Sequence, residues 1–376
     1  MKQEAAVSIL IDNLPSISVA YSGAVVSHVL FEVWKRLTFA LAPKGIACSI
    51  ETWGVSLRSN RKSGYGIQLE IEDLLNEISF TPIFAGREAV VVALSVQPSA
   101  HSRDMVVNAA INADQYKKDM VEIVGIFSLL MTGRMRFAAE VVANSSGAGQ
   151  TLYYECLLRL EDTNGRPIFP ESFLPLIERL GLTRPVDRKV VRSVIAELRK
   201  RSFISLGCNI SGLSACNDVW WNSIIYELRL EPDVARRLVI EITETAVPPS
   251  SGDALALIAA LKRTGCKIAL DDFGAGYSSI AFARAASPDI VKVDSSFLRM
   301  RKRTPREADL LRNLVALAGN LAPHVVVEGV ETYDDLRLVA QSGANWCQGY
   351  LFKRPSYKPP AGPHGHARAL RIGAST

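Results

Sequence analysis

The chain has 376 residues, 48% hydrophobic and 22% charged, a balance that excludes disorder as its main state. Its 43 Lys and Arg against 38 Asp and Glu leave a net charge of +5, too small over this length to imply DNA or RNA binding. The six cysteines are scattered with no C-x-x-C spacing, so neither a disulfide scaffold nor a structural zinc site is indicated, and reduced thiols in a cytoplasmic protein are expected.

In chain order, Met1-Lys2-Gln3-Glu4 opens onto a short apolar stretch that Asp12 interrupts, which argues against a signal peptide. No apolar run reaches the about 18 residues of a membrane span. Ser8 to Ile11 reads as a strand, Val25 to Leu41 as a helix, and Ala47 to Leu57 and Ala89 to Val96 as strands, with no cluster of acids among them. A boundary is expected around Ile123 to Thr132, giving a first domain over 1–122 and a second over 123–356. The Pro/Gly-rich segment 357–376 reads as a flexible tail.

From residue 150 onward a unit repeats: a short apolar strand, a polar residue at its end, then an amphipathic helix. The strands are Leu152–Glu155, Leu206–Asn209, Leu238–Glu241, Ile268–Asp272, Ile290–Asp294 and Val325–Glu328, and one intervening helix, Ala254 to Thr264, stops at Gly265. Such alternation predicts an α/β fold with a parallel sheet covered on both faces. Polar groups at nearly every strand end favour a TIM-like barrel over a doubly wound sheet, because only in a barrel do all those ends meet at one mouth.

The strand-end set is Glu155, Asn209, Glu241, Asp271, Asp272, Lys292 and Glu328. Taken singly, each acid reads as a helix cap or ion-pair partner, Lys292 as a surface lysine and Asn209 as a turn residue. Taken together in one cavity they repel, and cations resolve the repulsion. Oxygen donors without His or Cys favour Mg²⁺ or Mn²⁺, and the Asp271-Asp272 pair suits two ions arranged for attack of water at phosphorus, with Lys292 positioning the water. The segment Asp271 to Ser279 carries two glycines and reads as a loop that closes on a ligand; it is neither a P-loop nor a dinucleotide fingerprint.

Glu155-Cys156-Leu157-Leu158-Arg159 resembles the E-x-L-x-R signature of EAL domains, the cyclic di-GMP phosphodiesterases. Cys208-Asn209-Ile210-Ser211, Glu241-Ile242-Thr243-Glu244, the Asp271–Ser279 loop, Val291-Lys292-Val293-Asp294, Glu328-Gly329-Val330-Glu331 and Gln348-Gly349-Tyr350 match in order, over residues 133–355. The resemblance implies a modified TIM barrel that hydrolyses cyclic di-GMP to linear pGpG with two Mg²⁺ or Mn²⁺ ions. It implies metal ligation by Glu155, Asn209, Glu241, Asp271, Asp272 and Glu328, and catalytic roles for Glu155, Lys292, Glu328, Gln348 and Glu244. Lys292 and Gln348 would hold the water, and Glu244 would anchor the loop. Leu157, Arg159, Asp294 and Gly349 would bind substrate, and Glu331 would support from behind. The sequence departs from the family at Cys156, at Lys353, and at Ala139-Glu140-Val141-Val142, where the family has Gln-Pro-Ile-Val and its Gln contacts the ligand.

Ile9 to Leu37 and Ala110 to Tyr116 are similar to the start and the closing helix of GGDEF (diguanylate cyclase) domains. The G-G-D-E-F loop appears as Ile50-Glu51-Thr52-Trp53-Gly54, the first metal-binding Asp as Leu10, and the guanine-reading Asn and Asp as Ser18 and Val19. A cyclase so altered is expected to be inactive, leaving a structural or dimerising module through which a homodimer or a protein partner would form. Three functions remain open: an active phosphodiesterase, a cyclic di-GMP receptor without turnover, and a scaffold with no nucleotide role. The complete acid, amide and lysine set favours the first. The basic run Arg299 to Arg306 reads as a solvated surface or an attraction for the anionic ligand.

Overall fold

The computed structural model describes residues 5–59, 65–98, 112–146, 149–243, 248, 250–275, 279–300 and 305–352. The basic run from Arg301 to Thr304, the tail from Lys353, and Ala110 and Ile111 lie outside them. The chain forms two compact units: Met1–Met135 with Arg159–Val186 and Asp218–Ile224, and Arg136–Leu158 with Asp187–Asn217 and Ile225–Thr376. The helix Ala113–Met131 runs without a break through 122 and 123. Among the described residues no helix is long and apolar enough to cross a membrane.

In the first unit, β1 (Ala5–Ile11), β2 (Ile46–Glu51), β3 (Gly54–Ser59) and β6 (Leu94–Pro98) make an antiparallel sheet in the order β2-β3-β1-β6. β4 (Ile83–Ala85) and β5 (Glu88–Val90) pair separately. The helix Gly23–Leu41 buries Val29, Val33, Leu37 and Leu41, one face at a four-residue spacing.

Two expected strands are corrected here. Ala47 to Leu57 is not one strand but the hairpin β2–β3, turning at Thr52-Trp53. Gly54 permits the turn's close approach to β1, since a Cβ there would lie 1.9 Å from the Ile9 carbonyl oxygen. Ala89 to Val96 is broken between β5 and β6 because a buried amide captures its backbone. Asn13 Nδ2 donates to Val91 O at 3.0 Å, and Ala93 N donates to Asn13 Oδ1 at 3.0 Å.

The barrel strands are β7 (Met135–Asn144), β8 (Thr151–Glu161), β10 (Leu206–Ser211), β11 (Leu238–Thr243), β12 (Lys267–Phe273), β13 (Ile290–Val293), β14 (His324–Val327) and β15 (Trp346–Gln348), while β9 (Pro167–Ile168) pairs with the far end of β8. The sheet runs β10 through β15, then β7 and β8, and pairing of β10 with β8 closes eight strands into a TIM-like barrel. Pairing is parallel from β8 through β10 to β15, and β7 runs against β15.

Strand alternation stacks the interior in layers. Val142, Tyr153, Val239, Ala269, Ile290 and Val326 form an apolar layer. Two residues further along the same strands come Glu155, Glu241, Asp271, Lys292 and Glu328. On the reversed β7 the step from Val142 toward the mouth arrives at Glu140.

Candidate active site

Lys292 sits at the middle of the polar layer with its whole side chain buried. Its Nζ lies 3.0 Å from Glu155 Oε2, 2.8 Å from Glu241 Oε2, 3.1 Å from Asp271 Oδ1 and 2.8 Å from Glu328 Oε1. Burial pushes the ammonium's pKa down, but the four carboxylates override this and hold it well above the usual lysine value.

The acids divide by their partners. Burial pushes Glu155 up, and Lys292, Gln348 and Asn209 more than offset it, so its carboxyl stays below the ordinary value. Gln348 Nε2 donates to Glu155 Oε2 at 2.6 Å, and Asn209 Nδ2 donates to Oε1 at 2.5 Å. Glu241 is pushed up to about 8 by burial and by Glu155. Burial also raises Asp271, and raises Glu328 well above the usual range. Asp272 is pushed up to about 6 by burial and by Asp271 beside it. Burial is the largest cause of each rise, and the surplus of carboxylates over one ammonium adds to it.

Asp271 and Asp272 are sequence neighbours, so regular strand alternation would send them to opposite faces. The β12–β13 register breaks between Leu270 and Phe273, and Asp272 takes a left-handed conformation with φ 57°. The bulge turns Asp272 toward the cluster. Among the described residues, Glu155, Glu241 and Asp271 offer carboxylate oxygens within 4.8 Å of one another, and so do Asp271, Asp272 and Glu328. Asp271 belongs to both groups. Asn209 Oδ1, Glu241 Oε1 and Gln348 Oε1 are buried without a hydrogen-bond partner. Two oxygen-only groups sharing one acid, beside unpartnered acceptors, fit a pair of hard divalent cations.

The mouth continues into a pocket of about 220 Å³ whose lining includes Glu140, Arg299, Glu328, Glu331, Gln348 and Tyr350. Gly349 also lines it, with φ 150°; a Cβ there would come 2.3 Å from the Val330 carbonyl oxygen, so this position needs glycine. Glu331 N donates to Asp335 Oδ2 at 3.1 Å, which ties this corner to the capping box of the helix Tyr333–Ser342.

Of the other anticipated residues, Asp294 acts on the cluster, its charge adding to the rise of Asp272. Leu157 and Arg159 share the β8 face of Glu155 by alternation, and the Arg159 guanidinium lies over the Phe169 ring at 5.0 Å. Asp294 follows β13, where its Oδ1 accepts from Ser296 N at 3.0 Å and starts the helix Ser295–Met300. Glu244 and the loop residues Gly276, Tyr277 and Ser278 lie outside the described residues.

Two site residues went unnoticed in the sequence. Tyr153 is fully buried and its hydroxyl donates to Glu241 Oε2 at 3.1 Å; its signal was the two-residue step back from Glu155. Gly207, two residues before Asn209, leaves the space these two side chains occupy.

Fold and site together define an eight-stranded TIM-like barrel with an acidic, cation-suited mouth. The chain belongs to the EAL family: the EAL domain model matches residues 130–355. It is 30% identical over 234 residues to the cyclic di-GMP phosphodiesterase NbdA of Pseudomonas aeruginosa, covering 60% of this chain and 29% of that protein. It resembles the solved phosphodiesterase PaMucR in its c-di-GMP complex with 26% identity and a TM-score of 0.55, covering 62% of this chain and 96% of that one. In fold alone it resembles the apo S helix-GGDEF-EAL structure of Vibrio cholerae LapD, at 18% identity and a TM-score of 0.56 over 93% of this chain and 89% of that one. The chain spans 29% to 45% of the length of the first curated relatives it matches.

Proposed function

We propose that this chain hydrolyses cyclic di-GMP to linear pGpG with two Mg²⁺ or Mn²⁺ ions. The observation that carries this is the pair of carboxylate groups joined through Asp271 around the buried Lys292, in a barrel of the EAL family. Glu155, Asn209, Glu241, Asp271, Asp272 and Glu328 would hold the cations. Bound there, the cations supply Lewis acidity toward water and neutralise charge on the phosphoryl oxygens.

The chain's own groups have separate tasks. Gln348 and Asn209 fix the two oxygens of Glu155 by donating one hydrogen bond to each. Lys292 keeps its proton, and its ammonium orients the attacking water and offsets charge as the phosphodiester opens. Arg159 suits a phosphate oxygen through its planar fork. Leu157, Asp294 and Gly349 are assigned to substrate binding, and Glu244 to anchoring the loop. Purified protein with Mn²⁺ should convert cyclic di-GMP to pGpG, and Glu155→Ala should abolish turnover. No turnover with either metal would refute the assignment.

A second reading is a receptor that binds cyclic di-GMP without hydrolysis. The Ala139-Glu140 segment motivates it: a carboxylate lines the pocket where the family pattern has a neutral residue, which changes how an anionic ligand seats against the acids and separates binding from hydrolysis. Tight binding without product would select this reading. We assign the first unit as a degenerate GGDEF-like module without cyclase activity, supported by the likeness of fold to the GGDEF-EAL structure and by Leu10, Ser18 and Val19 where acids and an amide would act.

A further inference from the structure

Glu241 is the most deeply placed acid of the site, with no exposed surface. Its two oxygens have different surroundings. Oε2 receives the Lys292 ammonium at 2.8 Å and the Tyr153 hydroxyl at 3.1 Å. Oε1 has no hydrogen-bond partner and packs against Gly207, where a Cβ would fall 2.2 Å away.

The same absent Cβ makes room for Tyr153: it would lie 2.5 Å from Cε2 of the phenol ring. Gly207 belongs to β10, which pairs with β8 on one side and β11 on the other, so it lies between the strands of Tyr153 and Glu241. Tyr153 itself comes from the apolar layer beneath the acids and reaches upward with one polar atom. A large side chain on β8 and no side chain on β10 are therefore complementary, and together they bring a hydroxyl under the carboxylate.

We propose that Tyr153 is a positioning residue that sets the Glu241 carboxylate for a divalent cation, with Gly207 as the small residue that makes the contact feasible. A buried carboxylate on a flexible stem has several rotamers, and the Tyr153 hydroxyl, added to the Lys292 ammonium on the same oxygen, narrows them. The donor's neutrality matters. Lys292 orients Glu241 but also cancels its charge, whereas a phenol orients it and leaves the full negative charge to the cation. This inference rests on the reading that the site holds Mg²⁺ or Mn²⁺.

The test is Mn²⁺ binding to the full chain, read from the spin-resonance signal of free Mn²⁺, for the parent and for Tyr153→Phe. Phe keeps the ring and its packing, so the metal-free variant should still unfold cooperatively, at a somewhat lower denaturant midpoint because one buried hydrogen bond is lost. The expected result is a Kd for Mn²⁺ raised by about 10- to 100-fold. A Kd within twofold of the parent overturns the proposal. A double-mutant cycle adds an independent readout: in a Glu241→Gln background, Tyr153→Phe should change the Kd little further, and an additive loss also overturns it. The two readings fail differently. If the parent binds no Mn²⁺, both fall; if the parent binds and the variant binds equally, only the role of Tyr153 falls.

Discussion

Lys292 shows how one residue makes an otherwise unstable arrangement foldable. Four carboxylates contact its Nζ within 3.1 Å, and the group is out of water. Removing the ammonium leaves buried charges unpaired, at a cost of about 3 to 5 kcal/mol. Lys292→Met should therefore lower metal-free stability by that order in denaturant unfolding, and Mn²⁺ should restore part of it while turnover stays lost. A metal-free variant as stable as the parent would show that the lysine does not hold the acids together. Glu140 makes the opposite case. It is 7% exposed and lines the pocket beside Glu328 and Gln348. Changing Glu140→Gln removes a like charge facing an anionic ligand and should tighten cyclic di-GMP binding severalfold in calorimetry. Weaker binding would mean that the carboxylate contacts the ligand favourably.

At the scale of elements, the site was legible because in most barrel strands a short apolar run meets a polar residue, although the strands run on past it, β8 to Glu161, β11 to Thr243 and β13 to Val293. Glu155, Glu241, Lys292 and Glu328 follow directly from that pattern. The direction of β7 was not legible, since a strand's residues report burial and not polarity of the chain. β15 has three residues, too few for a periodicity. The inward turn of Asp272 depends on a bulge and a positive φ that an Asp-Asp pair does not announce. The break in Ala89 to Val96 came from Asn13, 78 residues from the carbonyl it binds. The same scale holds a pH-dependent contact in the first unit. Arg179, on the helix Pro170–Arg179, donates through Nε to Asp119 Oδ2 at 2.8 Å, on the helix Ala113–Met131. That hydrogen bond holds the Asp119 carboxyl below its ordinary value of 3.8. A lowered carboxylate pKa stabilises the fold fully above the unfolded value, and the stabilisation drains away as pH falls through the folded one. Because Arg179 is half-exposed, the contribution is about 1 kcal/mol. Asp119→Asn should lose that amount at neutral pH, and the gap to the parent should close as pH drops from about 5 toward 2. A gap independent of pH would assign the loss to packing.

For the whole molecule, a net charge of +5 conceals how unevenly charge is distributed. The acids of the candidate site all lie in the barrel unit, and the first unit carries an antiparallel sheet with its own apolar core at Ile9, Ile11, Val29 and Val33. Units with separate cores need not unfold together, and multidomain chains commonly depart from two-state behaviour. A ligand that binds only folded barrel stabilises only the barrel, by about 2.7 kcal/mol when present at a hundred times its Kd. Differential scanning calorimetry of the full chain should then resolve two transitions, and saturating Mn²⁺ should raise one and leave the other in place. For a unit of roughly 200 residues the shift amounts to about 2 to 4 °C per kcal/mol. Asp119→Asn supplies the complementary mark, because it should lower the transition that Mn²⁺ does not move. A single transition displaced as a whole by both perturbations would mean that the two units unfold as one, and that metal bound in the barrel also stabilises the first unit.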